Sequence, residues 1–251
     1  MKPPPRRRLI LSASRNKGQV LRQLKSLSNA ENVAGMARFG INPKNTYGIP
    51  IPVLRRIART LGSDHELALQ LWKSKIHEAR ILAALIDVPE RVGSQQMELW
   101  VKDLDSWDIC DQCCSNLFDK TVHATEKALE WSSRQEEFVK RAGFTLMAAL
   151  AVHDKKATNS QFIKFLKIIE QQSDDERNYV KKSVNWALRQ IGKRNLRLNK
   201  AAITTAKLIR RRNSKASHWI ASDALRELLG AKVQKRLRGK MNSRNGTTHL
   251  R

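Results

Sequence analysis

Glycine and proline are scarce in this chain, with 11 and 7 among 251 residues. Alternation of apolar and polar residues at a period of two is almost absent as well. Together these exclude a sheet protein with long loops. Cysteine is scarcer still: Cys110, Cys113 and Cys114 stand in one cluster, with no second pair elsewhere. A glycine-rich phosphate loop, a nucleophile elbow and a metal-binding cluster are all missing. No apolar run approaches the length that spans a bilayer, and there is no secretory apolar segment. Acids are few, 23 against 48 lysines and arginines.

What is present is positive charge. The formal net charge is +25 and the pI is near 10.6. Such a field attracts polyanions, because neutralising phosphates releases their counterions. Nucleic acid is the first partner class implied and an anionic membrane surface the second. Charge alone does not separate DNA from RNA. Residues 1–17 hold three consecutive prolines and six Arg/Lys, with no acid before Glu31. A transit peptide could share that composition, but the prolines oppose an amphipathic presequence, so a disordered basic start is expected.

From Gln19 onward the periodicity is helical. It predicts helices over 19–28, 30–39, 50–61, 64–74, 76–86, 94–104, 106–117, 121–131, 135–151, 159–171, 176–192, 198–211 and 217–229. Gly62-Ser63-Asp64 and Ser173-Asp174-Asp175 supply capping residues between them, and Ser106 stands ready to cap the helix that follows it. Short connections favour antiparallel helix pairs, whose stacking makes an α-solenoid. The expected class is all-α: an α-α superhelix of degenerate HEAT-like repeats with a concave basic groove. One domain is expected over 18–230, followed by a frayed, flexible basic tail over 231–251.

Three places could carry chemistry. On the helix around RNYVKKSVNWALRQIGK (177–193), Val180, Val184, Ala187, Leu188 and Ile191 share the core stripe. Trp186 falls on the opposite face, with Tyr179, Lys182, Arg189 and Lys193 around it. It either packs under a second layer or meets a flat anionic partner. In LDSWDICDQCCSNL, Trp107 and Asp111 stand at i and i+4 on one face. They form a site, or else a surface ion pair beside a packing tryptophan. The three cysteines and Leu117 occupy i, i+3, i+4 and i+7 there, which favours buried thiols in a reducing compartment; His123 does not complete a metal set. On the helix near 134–149, Arg141 flanks the apolar stripe and Lys140 lies further out, both readable as solvated charge. Glu78 and Arg80 read as a lock between adjacent helices.

The segments YGIPIPVLRRIA (47–58), LWKSKIHEARILAALI (71–86), SWDICD (106–111), EEFVKRAGFTL (136–146) and YVKKSVNWALRQIG (179–192), in this order and spacing, resemble the AlkD-like DNA alkylation repair family over roughly residues 20–230. The resemblance implies a HEAT-like solenoid that grips duplex DNA and hydrolyses the N-glycosidic bond of cationic N3- or N7-alkylpurines without flipping the base into a pocket. It assigns catalysis to Asp111, Trp107 and Trp186, and DNA contacts to Arg141, with Lys140, Lys182, Arg189, Lys193 and Tyr179 as further candidates. It implies a cytoplasmic or nuclear monomer acting on double-stranded DNA with alkylated purines, with no metal, cofactor or membrane. Phe39 departs from the pattern, standing where some relatives carry tyrosine.

Overall fold

The computed structural model describes residues 16–246, with side chains described through residue 239. Fourteen α-helices run through these residues, with no strand among them. They are α1 (Lys17–Ser26), α2 (Ala30–Arg38), α3 (Ile51–Leu61), α4 (His65–Trp72), α5 (His77–Ile86), α6 (Ser94–Lys102) and α7 (Trp107–Asn116). There follow α8 (Ala124–Ser132), α9 (Glu137–His153), α10 (Asn159–Gln171), α11 (Asn178–Gly192), α12 (Leu196–Ile209), α13 (Lys215–Leu228) and α14 (Ala231–Gly246).

Local chemistry starts several of them. The side chains of Asn16, Asn29, Asp64, Asn195 and Ser214 each accept a backbone N–H from the first turn of the next helix. Two expected caps differ. Ser106 precedes α7, but its hydroxyl accepts from the Asn42 N–H at 3.0 Å and binds the distant 42–46 loop instead. In the 173–175 stretch, Asp175 accepts from the N–H and guanidinium of Arg177, which itself occupies the cap position of α11.

The helices form two rows. Along one, α3, α5, α7, α9, α11 and α13 each pack against the next. Against it lie α4 on α5, α8 on α9, and α12 on α11 and α13, with α10 on α12. This is the all-α superhelical arrangement of HEAT-like repeats. Helix α9 is the centre: every residue from Val139 to Ala151 is buried. Gly143 permits that packing, since a Cβ there would lie 2.4 Å from the backbone nitrogen of Ser132 in α8.

Glu78 and Arg80 bind neighbouring segments together. Glu78 is fully buried and accepts the backbone N–H groups of Tyr47, Gly48 and Ile49, fixing the loop before α3. Arg80 donates to the Asp103 carbonyl beyond α6. All three cysteines are fully buried in the core. The tail departs from expectation: it continues as α14 to Gly246, with Val233 and Leu237 buried, because these residues fall one turn apart on one face. Residues 1–15 and 247–251 of the two expected basic ends lie outside the described residues. No described helix is long and apolar enough to cross a membrane.

Candidate active site

A cavity of about 650 Å³ opens on the row of odd-numbered helices. Helix α7 contributes Trp107 and Asp111, and α9 contributes Arg141. From α11 come Tyr179, Lys182, Asn185, Trp186 and Arg189, while α13 adds Trp219 and Asp223. Phe39, just after α2, stands at its edge, 76% exposed. Trp107, Asp111 and Trp186 thus meet in one place, although they come from separate helices. Trp186 is only partly buried: its indole packs against the core with the rest reaching the cavity.

Asp111 is held from one side. Arg141 Nε and Nη2 donate to its Oδ1 at 3.1 and 2.9 Å, and Nη2 also reaches Oδ2 at 2.8 Å. The Thr145 hydroxyl donates to Oδ1 at 3.3 Å. Oδ1 therefore receives three donors and Oδ2 one, which leaves spare acceptor capacity on Oδ2. Burial pushes the Asp111 carboxyl above its ordinary value of 3.8, against the opposing charge and hydrogen bonds of Arg141 and the bond from Thr145. Burial works against the Arg141 cation too, but Asp111 outweighs it and holds the guanidinium charged.

The surrounding aromatics are tied to the far end of α2. Trp107 Nε1 donates to the Phe39 carbonyl at 3.1 Å, and the Tyr179 hydroxyl donates to the Gly40 carbonyl at 3.0 Å. Gly40 has φ +76°, and a Cβ there would lie 1.8 Å from the Tyr179 oxygen. The Tyr179 carbonyl in turn accepts from Arg141 Nη1 at 2.7 Å. Asp111, Arg141, Tyr179 and Gly40 are therefore linked in series.

A sequence profile of the family described as DNA alkylation repair enzyme matches residues 20–228. The chain belongs to that family. No curated protein sequence matches it significantly. Among solved structures, one from "a new family of proteins related to the HEAT-like repeat DNA glycosylases with affinity for branched DNA structures" is similar, with a TM-score of 0.71 at 18% identity. The match covers 85% of this chain and 96% of that one, and establishes the shared fold.

Within this family member the basic residues divide differently from the sequence expectation. Arg141 is 5% exposed and donates to Asp111 and the Tyr179 carbonyl, so it is not a solvated charge. Lys140 is 6% exposed, its ammonium 3.1 Å from Asp175 Oδ2 under the α10–α11 connection. Both changes have one cause: α9 is enclosed by α7, α8 and α11, which a helical wheel of α9 alone does not reveal. Lys193 pairs with Glu227 at 2.6 Å and does not line the cavity; Arg189 does, but pairs with Glu227 at 2.7 Å and Asp223 at 3.3 Å. Lys182 is exposed at the cavity with no ion pair among the described residues.

Thr145, Asn185, Trp219 and Asp223 were not singled out in the sequence. A signal for the last two exists: HWIASD (218–223) repeats the i, i+4 Trp–Asp spacing of SWDICD (106–111).

Proposed function

We propose that the protein binds duplex DNA and hydrolyses the N-glycosidic bond of cationic N3- or N7-alkylpurines. The supporting observation is that a partly buried carboxylate, Asp111, with spare acceptor capacity on Oδ2, shares one cavity with the indoles of Trp107 and Trp186. An alkylpurine that already carries positive charge needs no protonating acid. As the C1′–N9 bond breaks, its electron pair neutralises the base and positive charge moves to the deoxyribose. Asp111 stabilises that oxocarbenium charge and orients a water for attack at C1′, the water's proton passing to Asp111 or solvent. The indole faces add cation–π stabilisation of about 0.5–2 kcal/mol each. Arg141 acts by holding the carboxylate in place, while Lys182 meets a phosphate.

Incubating the pure protein with methylated duplex DNA tests this: free 7-methylguanine or 3-methyladenine is expected. A second reading, a non-catalytic protein that binds DNA by shape, is favoured by the guanidinium that engages both oxygens of Asp111. It predicts steeply salt-dependent binding with no base released.

A further inference from the structure

Six tryptophans occur in the chain. Trp72, Trp100 and Trp131 are core residues, each at most 4% exposed. The other three, Trp107, Trp186 and Trp219, all line the one cavity. Trp219 is the most open, 41% exposed on α13, and the proposed reaction gives it no role. Exposure alone would be ordinary, but Trp219 shares its cavity with Trp107 and Trp186, so its indole is placed to meet the same ligand.

Its surroundings identify that partner. The Lys181 ammonium lies 5.9 Å from the Trp219 ring centre. Neither Lys181 nor the neighbouring Lys182 has an ion-pair partner within 4 Å among the described residues, although Glu227, Asp223 and Asp175 neutralise other cations nearby. Lys181 feels Glu176 only at longer range, and a π-face beside two ammonium groups that lack a close ion pair matches a nucleotide, which offers a flat base or sugar next to a phosphate. The carboxylate one turn along is not a second catalytic acid. Asp223 accepts from Asn185 Nδ2 at 2.7 Å and pairs with both Arg189 and Arg226, so two guanidinia neutralise it where Asp111 has one. It anchors α13 to α11 and fixes the turn that carries Trp219.

We infer that Trp219 and Lys181 form a second nucleotide-binding subsite, stacking on one nucleotide and pairing with its phosphate beyond the Trp107–Asp111–Trp186 centre. This rests on the DNA-binding reading above and deepens it.

The test uses the full chain and a short fluorescein-labelled duplex, titrated at several salt concentrations. Trp219→Ala is expected to weaken binding about 5- to 100-fold with an unchanged salt slope, because it removes stacking and no charge. Trp219→Phe keeps a ring and is expected to recover most of the affinity. Lys181→Ala is expected to weaken binding and lower the salt slope by about one, independently of how the tryptophan variants fold. Binding by Trp219→Ala within twofold of the wild type overturns the subsite, as does Trp219→Phe binding as poorly as Trp219→Ala. An unchanged salt slope in Lys181→Ala also overturns it. If the wild type binds no duplex at any salt concentration, the DNA-binding reading itself fails, a result distinct from loss of the subsite alone.

Discussion

Arg141 donates to both carboxylate oxygens of Asp111, and its remaining contact goes to the backbone of α11, where Tyr179 accepts at 2.7 Å. One guanidinium thus fixes the acid of α7 against α11. Removing it would leave a largely buried carboxylate without its counter-charge, which costs about 3–5 kcal/mol in comparable settings. Arg141→Ala is therefore expected to lower stability by an amount near that range, measured by denaturant unfolding. Arg141→Ala combined with Asp111→Asn should be less destabilised than the sum of the two single changes, since no unpaired charge remains.

The pH dependence of base release carries a sign. Burial raises the Asp111 pKa above 3.8, so the carboxylate protonates earlier on acidification than a free aspartate. In the proposed reaction excision needs the ionised form, so activity should fall as pH drops through a value above 3.8. In Arg141→Ala the opposing charge is gone, and this acid limb should move further up. Single-turnover rates across pH give the comparison.

Asp175 behaves oppositely. Hydrogen bonds from Arg177 and Lys140 outweigh its partial burial and lower its pKa from 3.8 to about 2. Its contribution to stability is therefore fully present above pH 3.8 and is lost as pH falls toward about 2. The shift corresponds to at most about 2.5 kcal/mol, and about half that after solvent screening. Asp175→Asn should be destabilised by about 1 kcal/mol at neutral pH, a gap that closes in acid-unfolding curves near pH 2.

Helix α2 buries none of its residues, yet its end is fastened by Trp107 and Tyr179. Tyr179→Phe removes one of these bonds, worth about 1 kcal/mol. Amide exchange over 30–38 is expected to accelerate, with little change in the global melting temperature.

Burial pushes the Cys113 and Cys114 thiols well above the usual thiol value. They should resist a thiol reagent in the native protein and react fully once it is unfolded.

The helices were legible because α3 through α13 repeat apolar stripes between short capped breaks, a local signal. Helix α14 was masked by its basic composition, since only Val233 and Leu237 mark its buried face. The site was partly legible. Trp186 stood out on the polar side of its own helix, but its meeting with Trp107 and Asp111 depends on how α7, α9 and α11 stack. The burial of Lys140 and Arg141 was not legible for the same reason: their partners, Asp175 and Asp111, arrive from elsewhere in the chain. Trp219 repeats the Trp–Asp spacing of Trp107, but its place in the cavity depends on how α13 packs against α11, which spacing within one helix does not reveal.

Asp111 offers the most direct test of the central claim. The measurement is the single-turnover release of 7-methylguanine from methylated duplex DNA by the wild type and Asp111→Asn, with DNA affinity measured in parallel. The account predicts release by the wild type, a loss of about 10²–10³-fold or more in the variant, and DNA binding retained. Full-rate release by Asp111→Asn, or none by a wild type that binds the same DNA, would contradict it.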